Sequence, residues 1–162
     1  MESHNLSVEI EFAVEFYDVD SMDVVWHGNY VKYFEKARCA LLDRIGYGYR
    51  EMKESGYAFP VTGISVKYVR PLMFGDRVRA KAILVEYENC LRITYELYNA
   101  KTGVLTTKGR STQMAYHIAG AESCFVCPPV FTGKVEALLQ TGLLQTGLLQ
   151  TGLLQTGLPG ER

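Results

Sequence analysis

The residues best suited to chemistry are three aspartates just before the strongest predicted helix of the chain. Asp18, Asp20 and Asp23 lie within the stretch YDVDSMDVVWHGNY, and the helix follows it. A helix N-terminus carries backbone N–H groups without intrahelical partners and a partial positive charge. A carboxylate beside that end, with room between for a carbonyl group, is the minimum arrangement for attack on an ester or thioester.

Two interpretations of this loop stand side by side. In the first, Asp20 or Asp23 acts as a nucleophile or general base, and backbone N–H groups near His27 and Gly28 stabilise the developing oxyanion. In the second, the aspartates are helix caps and solvated loop charges that the helix dipole favours. Residue types alone favour the second interpretation by roughly two to one.

Hydrophobic periodicity places the loop between a strand and a helix. Residues 7–17 alternate between apolar and largely acidic side chains, which predicts a half-buried strand. From Asn29, a candidate N-cap, apolar residues recur at helical spacing until Gly46 and Gly48 end the helix. A short second helix is predicted over residues 49–57. Four more strands are predicted over residues 59–70, 77–87, 90–100 and 104–118, the last with a bulge at Gly109.

This order of elements predicts an α+β fold. One strand precedes one long apolar helix, and four strands follow that we expect to form an antiparallel meander. The helix carries apolar residues well beyond one narrow stripe, so it needs cover on most sides. We therefore expect a sheet of five or six strands wrapped around one long central helix.

Composition restricts the function further. The 162 residues suggest one main domain, and 48% hydrophobic residues suffice for a sizeable core. The formal net charge of −1 gives no indication of nucleic acid or an anionic membrane surface as partner. No segment approaches the roughly 20 uninterrupted apolar residues of a membrane span, and the acidic N-terminal segment is unlike a signal peptide. We therefore expect a cytoplasmic protein.

A metal site is not expected from the cysteines. Cys124 and Cys127 have the CxxC spacing of a zinc or redox site, but zinc needs two more ligands and only His117 is near in sequence. The scatter of the four cysteines is also unlike a disulfide framework. We interpret the pair as small apolar residues ahead of two prolines.

The C-terminal segment differs in character from the rest. The unit LLQTG occurs four times over residues 138–157. A period of five residues advances about 500° on a helix, so its leucines share no single face, and each glycine weakens a helix by about 1 kcal/mol. We predict one domain over residues 1–137 and a low-complexity tail over residues 138–162 without chemistry.

The loop and the helix start resemble a known family. Residues 17–38 resemble the run D-x-D-x-x-G-[IHV]-V-[WY]-x-x-x-Y-x-x-[YW]-x-E-x-A-R of acyl-CoA thioesterases of the 4-hydroxybenzoyl-CoA thioesterase type. Residues 68–78, which read Y-x-x-P-x-x-x-G-D-x-V, are similar to the strand–turn–strand segment common in hotdog-fold proteins. Together the resemblance covers about residues 8–116 and leaves out the tail.

The resemblance implies a hotdog fold, in which an antiparallel sheet wraps the long helix and protomers pair edge to edge. A homodimer or homotetramer would then carry active sites at the dimer interface. The implied reaction is hydrolysis of a small, medium or aromatic acyl-CoA to free acid and coenzyme A, with no cofactor beyond the coenzyme A of the substrate. Asp20 matches the catalytic carboxylate, and His27 matches the position whose backbone N–H polarises the thioester carbonyl.

Further residues are candidates for contact with the substrate. Glu35 is also one helical turn from Arg38, so a salt bridge on the helix flank is an equally good interpretation. The basic residues are candidates for the phosphates of coenzyme A by charge and strand location alone. The candidates are Asp23, Trp26, Tyr30, Glu35, Lys67 and Arg70, with Lys108 and Arg110 as further basic residues.

Asp23 is the point at which the chain departs from the family, which usually has glycine there. The extra carboxylate adds negative charge beside Asp20 and narrows the approach of the acyl group. A non-catalytic acyl- or ligand-binding protein therefore stays open as an alternative. A hydratase on the same fold would need a histidine or an acid–base pair on the long helix, and that helix has no histidine.

Overall fold

The structure is a computed structural model that describes residues 6–154, with side chains described up to residue 142. A 3₁₀ turn over Phe16–Asp18 follows the first strand. The helices and strands in chain order are β1 (Ser7–Ala13), α1 (Asn29–Ile45), α2 (Tyr49–Glu54), β2 (Tyr57–Ala58), β3 (Val61–Tyr68), β4 (Arg77–Glu86), β5 (Leu91–Asn99), β6 (Leu105–Gln113), β7 (Ala115–His117), β8 (Glu122–Cys124) and α3 (Pro129–Leu154).

Five strands form one antiparallel sheet in the order β1-β4-β5-β6-β3. β4, β5 and β6 form the predicted meander, but β3 pairs with β6 and not with β4. The prediction of a four-strand meander is therefore wrong in one connection. The chain between β3 and β4 passes the start of α1, where the Val25 N–H donates to the Leu72 carbonyl oxygen at 2.8 Å. In this strand order, β1 and β3 are the two edge strands of the sheet.

The long helix α1 packs against one face of this sheet and is buried along most of its length. Tyr33, Phe34, Ala37 and Leu41 are at most 1% exposed. The Phe34 ring stacks on the Tyr95 ring of β5 with centroids 4.6 Å apart and planes 10° apart. Full burial of such large side chains stabilises the fold by about 1.5–3 kcal/mol each. The predicted long helix packed on the sheet is confirmed, but cover on most sides is wrong, because six of its residues on the opposite side are exposed to solvent.

Gly109 makes room for the helix and does not form the predicted bulge. It pairs in regular register with Val66 of β3 and Tyr95 of β5. A Cβ atom at this position would lie 2.3 Å from the Phe34 ring. The bulge prediction is wrong because glycine is needed here for the close approach of a helix ring to the strand backbone.

Two of the predicted strands end or divide at points where the alternation of the sequence continues. β1 ends at Ala13, and Phe16 and Tyr17 are exposed in the 3₁₀ turn although they continue the alternation. The predicted strand over residues 104–118 divides at Met114 into β6 and β7. β7 joins a separate small sheet with β2 and β8. Alternation alone does not show where a strand leaves one sheet for another.

The last helix crosses the predicted domain boundary. α3 begins ahead of the repeats and continues through residue 138 without a break. Phe131 and Val135 are fully buried, and Leu138 and Leu139 are partly buried against the same core. The division into residues 1–137 and 138–162 stays a prediction, and the final part of the tail lies outside the described residues. Of the helices described, α3 included, none has the combined length and apolarity that crossing a membrane requires.

Candidate active site

The loop of aspartates folds as a short hairpin. Val19 and Val25 form an isolated antiparallel bridge, and the Asp23 N–H donates to the Asp20 carbonyl oxygen at 3.0 Å. Residues 20–23 therefore form the turn of the hairpin. Inside the turn, Oδ1 of the Asp20 carboxylate accepts the Met22 N–H at 2.8 Å. This hydrogen bond orients the half-buried carboxylate.

Asp23 closes the turn in a left-handed backbone conformation. Its φ of +62° lies where glycine is favoured and where aspartate is among the better tolerated L-residues. The family's usual glycine at this position therefore has a conformational reason, which Asp23 satisfies at some cost. Its side chain is exposed, so the departure from glycine adds charge at the surface of the hairpin.

Asp18 anchors the hairpin to the helix. Its side chain is 8% exposed, and its carboxylate accepts hydrogen bonds from the Tyr33 hydroxyl and the Glu15 N–H, both at 2.9 Å. Its carbonyl oxygen accepts the Trp26 N–H at 2.9 Å and the Asn29 side-chain amide at 2.8 Å. Burial, aided by the Asp18 carboxylate, raises the pKa of Tyr33, so its hydroxyl stays a donor. Asp18 is therefore a buried structural anchor, and neither the cap of α1 nor the solvated charge of the second interpretation.

The N-terminus of α1 has no side-chain cap. Its N-cap residue is Gly28, which has no side chain. The prediction of Asn29 as the cap is wrong, because its amide is already bonded to the Asp18 carbonyl oxygen. Within the described residues, the backbone N–H groups of His27 and Gly28 donate to no other residue. The positive end of the helix is therefore open to a ligand.

A cavity of about 280 Å³ lies against this open helix start. Three predicted site residues line it, namely His27, Tyr30 and Arg70. Its wall also includes Tyr68, whose hydroxyl donates to the His27 carbonyl oxygen at 2.7 Å across 41 residues of chain. The two motifs that carry the family resemblance thus meet in one cavity. The remaining lining residues are Val25, Val69 and Pro71.

Trp26 and Glu35 do not line this cavity. The Trp26 ring lies 4.8 Å from the His27 ring, and a Cβ atom on Gly28 would lie 2.1 Å from it. The Trp26 ring therefore packs against Gly28 and His27. Glu35 pairs with Arg38 at 3.5 Å, which confirms the salt-bridge interpretation.

Lys67 lies on the other face of the sheet. It is next to Tyr68 in β3, and successive strand residues point to opposite faces. On that outer face it lines a shallow cavity of about 400 Å³ with Lys108, Arg110 and Glu96. Lys67 pairs in register with Lys108, so the three basic residues form one cluster. The structure thus separates Lys67 from Arg70, although only three positions divide them in sequence.

A larger, apolar cavity of about 560 Å³ lies at the opposite end of β3. Sequence patterns do not indicate it, because its walls come from α2, from the segment that contains β2, and from β7, which are far apart in the chain. Three of its lining residues are tyrosines. Its lining residues are Tyr49, Met52, Lys53, Tyr57, Ala58, Phe59, Pro60, Tyr116 and Ile118.

The cysteines form no bond with one another. All four are free thiols, and Cys127 is buried, which raises its pKa to about 12. A thiol with such a pKa stays protonated at neutral pH. Among the residues that the structure describes, no group of three or more His, Cys, Asp or Glu side chains could hold a metal ion.

The chain belongs to the Thioesterase-like superfamily, whose model matches residues 14–134. The predicted class of enzyme, a thioester hydrolase, is confirmed at this level. The narrower resemblance to the 4-hydroxybenzoyl-CoA type stays a prediction.

Individual relatives agree with this assignment. The chain is 30% identical over 105 residues to the "Putative acyl-CoA thioesterase YneP" of Bacillus subtilis, covering 64% of this chain and 75% of that protein. It is 30% identical over 89 residues to the 1,4-dihydroxy-2-naphthoyl-CoA hydrolase of Thermosynechococcus vestitus, covering 54% and 61%. The DHNA-CoA thioesterase structure from Staphylococcus aureus superposes with a TM-score of 0.74 at 25% identity, covering 87% and 94%. The predicted hotdog fold is confirmed.

Proposed function

We propose that this protein hydrolyses acyl-CoA thioesters, including aromatic ones, to a free acid and coenzyme A. The observation that carries the proposal is the pair of unpartnered N–H groups on His27 and Gly28, which open at a helix start onto a cavity lined by Arg70. Two relatives are named for 1,4-dihydroxy-2-naphthoyl-CoA or DHNA-CoA, which supports an aromatic acyl group. The 4-hydroxybenzoyl-CoA type is the narrower form of this proposal.

The proposed chemistry divides between the helix start and the hairpin. The His27 N–H donates to the thioester carbonyl oxygen and stabilises its negative charge as the tetrahedral intermediate forms, and donors of this kind contribute factors of about 10²–10³ in kcat. Asp20 either attacks the carbonyl carbon or takes a proton from an attacking water. In the first route coenzyme A leaves as a thiolate, and water then hydrolyses the mixed anhydride on Asp20. In the second route the acid forms directly.

Basic residues would meet the phosphates of coenzyme A. Arg70 is the first choice, because it is exposed at the mouth of the cavity and a guanidinium can bind a phosphate through two parallel hydrogen bonds. Lys67, Lys108 and Arg110 are a second group on the outer face. In this proposal coenzyme A enters only as part of the substrate, and the enzyme needs no resident cofactor. The cytoplasmic location stays a prediction of the sequence.

Exposure along β3 supports a homodimer as the active form. The strand is an edge of the sheet, and Val61, Ile64 and Tyr68 are 43–51% exposed on it. An unpaired edge with apolar side chains is a template for pairing with another chain. In a two-fold dimer the two β3 strands would run antiparallel. The start of one strand, beside the apolar cavity, would then lie near the end of the other, beside His27 and Arg70. One protomer would hold the thioester, and its partner would hold the acyl group.

Release of free coenzyme A from a panel of acyl-CoA and acyl-carrier-protein thioesters tests the activity. We expect turnover with at least one aromatic or medium-chain acyl-CoA in the panel. Asp20→Asn should reduce kcat by at least about 10³-fold, since it removes the nucleophile or base. Asp43→Asn, the same change at an exposed position near the end of α1, should leave kcat unchanged. Turnover near the wild-type rate in Asp20→Asn would remove Asp20 from the mechanism.

Mixed dimers test the shared site. Ala58→Trp fills the apolar cavity, so it should be as inactive as Asp20→Asn when each variant is assayed alone. When the two variants are mixed and exchange subunits, half of the dimers are hybrids with one intact site. Activity should then return to about a quarter of the wild-type value. If the acyl cavity and Asp20 of each site come from the same protomer, no activity returns.

A non-catalytic acyl-binding protein is the second candidate. The Asp20 carboxylate already accepts the Met22 N–H within its own turn, which favours a structural role for it. This candidate predicts that acyl-CoA binds, with a dissociation constant measurable by calorimetry, while no member of the panel releases free thiol. Thiol release that Asp20→Asn abolishes would exclude it.

A further inference from the structure

The helix start carries two consecutive peptide groups whose carbonyl oxygens are bonded and whose N–H groups are open. In the Trp26–His27 peptide, the carbonyl oxygen accepts the Asn29 N–H at 2.9 Å. In the His27–Gly28 peptide, the carbonyl oxygen accepts the Tyr68 hydroxyl at 2.7 Å. The C=O and N–H of a planar trans peptide point in opposite directions. A bond at each carbonyl oxygen therefore determines where the following N–H points.

The two bonds differ in origin. The bond from Asn29 is part of the helix start and forms with it. The bond from Tyr68 comes from β3, on the other side of the cavity, and depends on tertiary packing. Gly28 has no side chain and its N–H is unpartnered within the described residues, so the Tyr68 hydroxyl provides the hydrogen bond from outside the helix start that orients the His27–Gly28 peptide.

The Tyr68 side chain is held in position by the neighbouring ring of Tyr30. Its ring meets the Tyr30 ring edge-on, with centroids 5.2 Å apart and planes 77° apart. Tyr30 is 3% exposed and is itself bonded through its hydroxyl, which accepts the Leu72 N–H at 3.4 Å. Aromatic pairs in this geometry contribute about 0.5–1.5 kcal/mol beyond the area they bury. The hydroxyl of a half-exposed residue is therefore directed by a buried neighbour.

We propose that Tyr68 is a positioning residue for the reaction, which holds the His27–Gly28 peptide so that its N–H faces the thioester carbonyl oxygen. A hydrogen bond to the carbonyl oxygen of an amide polarises the whole group and makes its N–H a stronger donor. Tyr68 thus orients a second oxyanion donor beside the His27 N–H and strengthens it. The inference rests on the proposed hydrolysis, and it assigns a role to the tyrosine of the Y-x-x-P segment.

Steady-state kinetics of Tyr68→Phe test the role. The substitution removes one oxygen atom and keeps the ring, so folding should be retained, as circular dichroism can verify. We expect kcat to fall about tenfold with KM little changed, because a donor that matters most in the transition state is misdirected. Tyr98→Phe is the matched control. It removes a hydroxyl that donates to Glu96 on the outer face, and it should leave both constants unchanged.

The outcomes separate this inference from the proposed function. If the wild-type protein hydrolyses no thioester, the proposed function fails. If it does and Tyr68→Phe keeps the wild-type kcat, the positioning role fails. A rise in KM with unchanged kcat would also overturn the role, because Tyr68 would then only bind substrate.

Infrared spectroscopy provides a readout that loss of packing alone would not produce. In the Asp20→Asn background, a bound thioester with a ¹³C-labelled carbonyl group should show a carbonyl stretching band below its frequency in water. With Tyr68→Phe added, the band should move back towards the water value, since the N–H polarises the carbonyl less. A band that does not move would contradict the inference.

Discussion

The two edge strands of the sheet, β1 and β3, differ in the side chains that they present to a second chain. β1 carries acidic residues on its outer face, and two of them pair with β4, with Glu11 at 2.6 Å from Arg77 and Glu9 at 4.0 Å from Arg79. β3 has no acidic residue, carries Lys67 as its single charge, and exposes apolar side chains along its length. Charge on an edge strand opposes pairing with another chain, whereas an apolar edge favours it. The molecule therefore has one closed edge and one open edge.

The candidate site follows the open edge. Tyr68 and Arg70 reach the helix start from the end of β3, and the apolar cavity begins just ahead of β3. No residue of β1 lines either cavity. The open edge is therefore both the expected place of assembly and the element that completes the site.

The largest effect is expected when a charge is placed on the open edge strand, β3. Ile64→Lys should convert the proposed dimer into a monomer and reduce activity by at least about tenfold, because a desolvated lysine opposes strand pairing. Analytical ultracentrifugation and thiol release measure the two effects. Glu9→Lys places the same residue on the closed edge and should change neither. An Ile64→Lys protein that stays dimeric and active would show that β3 is not the interface.

Replacing glycine by alanine tests how tightly the backbone is packed in the interior strand β6 and in the open edge strand β3. Gly109→Ala in β6 should destabilise the protein by about 1–3 kcal/mol, since its Cβ would overlap the Phe34 ring. Gly63→Ala in β3 meets no atom within 4 Å and should change the free energy of unfolding by less than about 0.5 kcal/mol. Urea unfolding distinguishes them, and equal effects would refute the packing role of Gly109.

The hairpin that follows the closed edge offers a smaller effect. Asp23→Gly should stabilise the protein by about 0.5–1 kcal/mol, because glycine accepts the φ of +62° without strain. Ala121→Gly, at the other non-glycine residue with positive φ, should stabilise it similarly. Thermal unfolding measures both. Only Asp23→Gly should also alter kcat, since only it removes a charge near Asp20. A loss of stability in both variants would contradict the conformational argument.

The smallest effect is expected for the ion pairs of the closed edge. Glu11→Gln should cost about 0.2–1 kcal/mol, because both partners are partly exposed and screened by water. The cost should shrink as salt is added. The oligomeric state should not change. If Glu11→Gln causes association instead, charge rather than packing keeps this edge closed.

Local patterns predicted the parts of the fold that local physics controls. Helical spacing and two glycines were sufficient for α1, and alternation was sufficient for the central strands, because each depends on residues near in the chain. The aspartates ahead of the helix, together with the family resemblance, selected Asp20, His27, Tyr30 and Arg70. The last three line one cavity, while the catalytic role of Asp20 stays a prediction.

Tertiary structure decided what depends on distant partners. Alternation makes a strand but does not choose its neighbour, so the pairing of β3 with β6 was missed, and with it the identity of the open edge. From the sequence alone Gly109 predicts a bulge, and only its contact with the Phe34 ring shows why glycine is needed there. The bond from Tyr68 to His27 spans 41 residues, and no periodicity predicts it. The sequence by itself determined which chemical groups this protein has, and packing between distant segments determined which of those groups lie together.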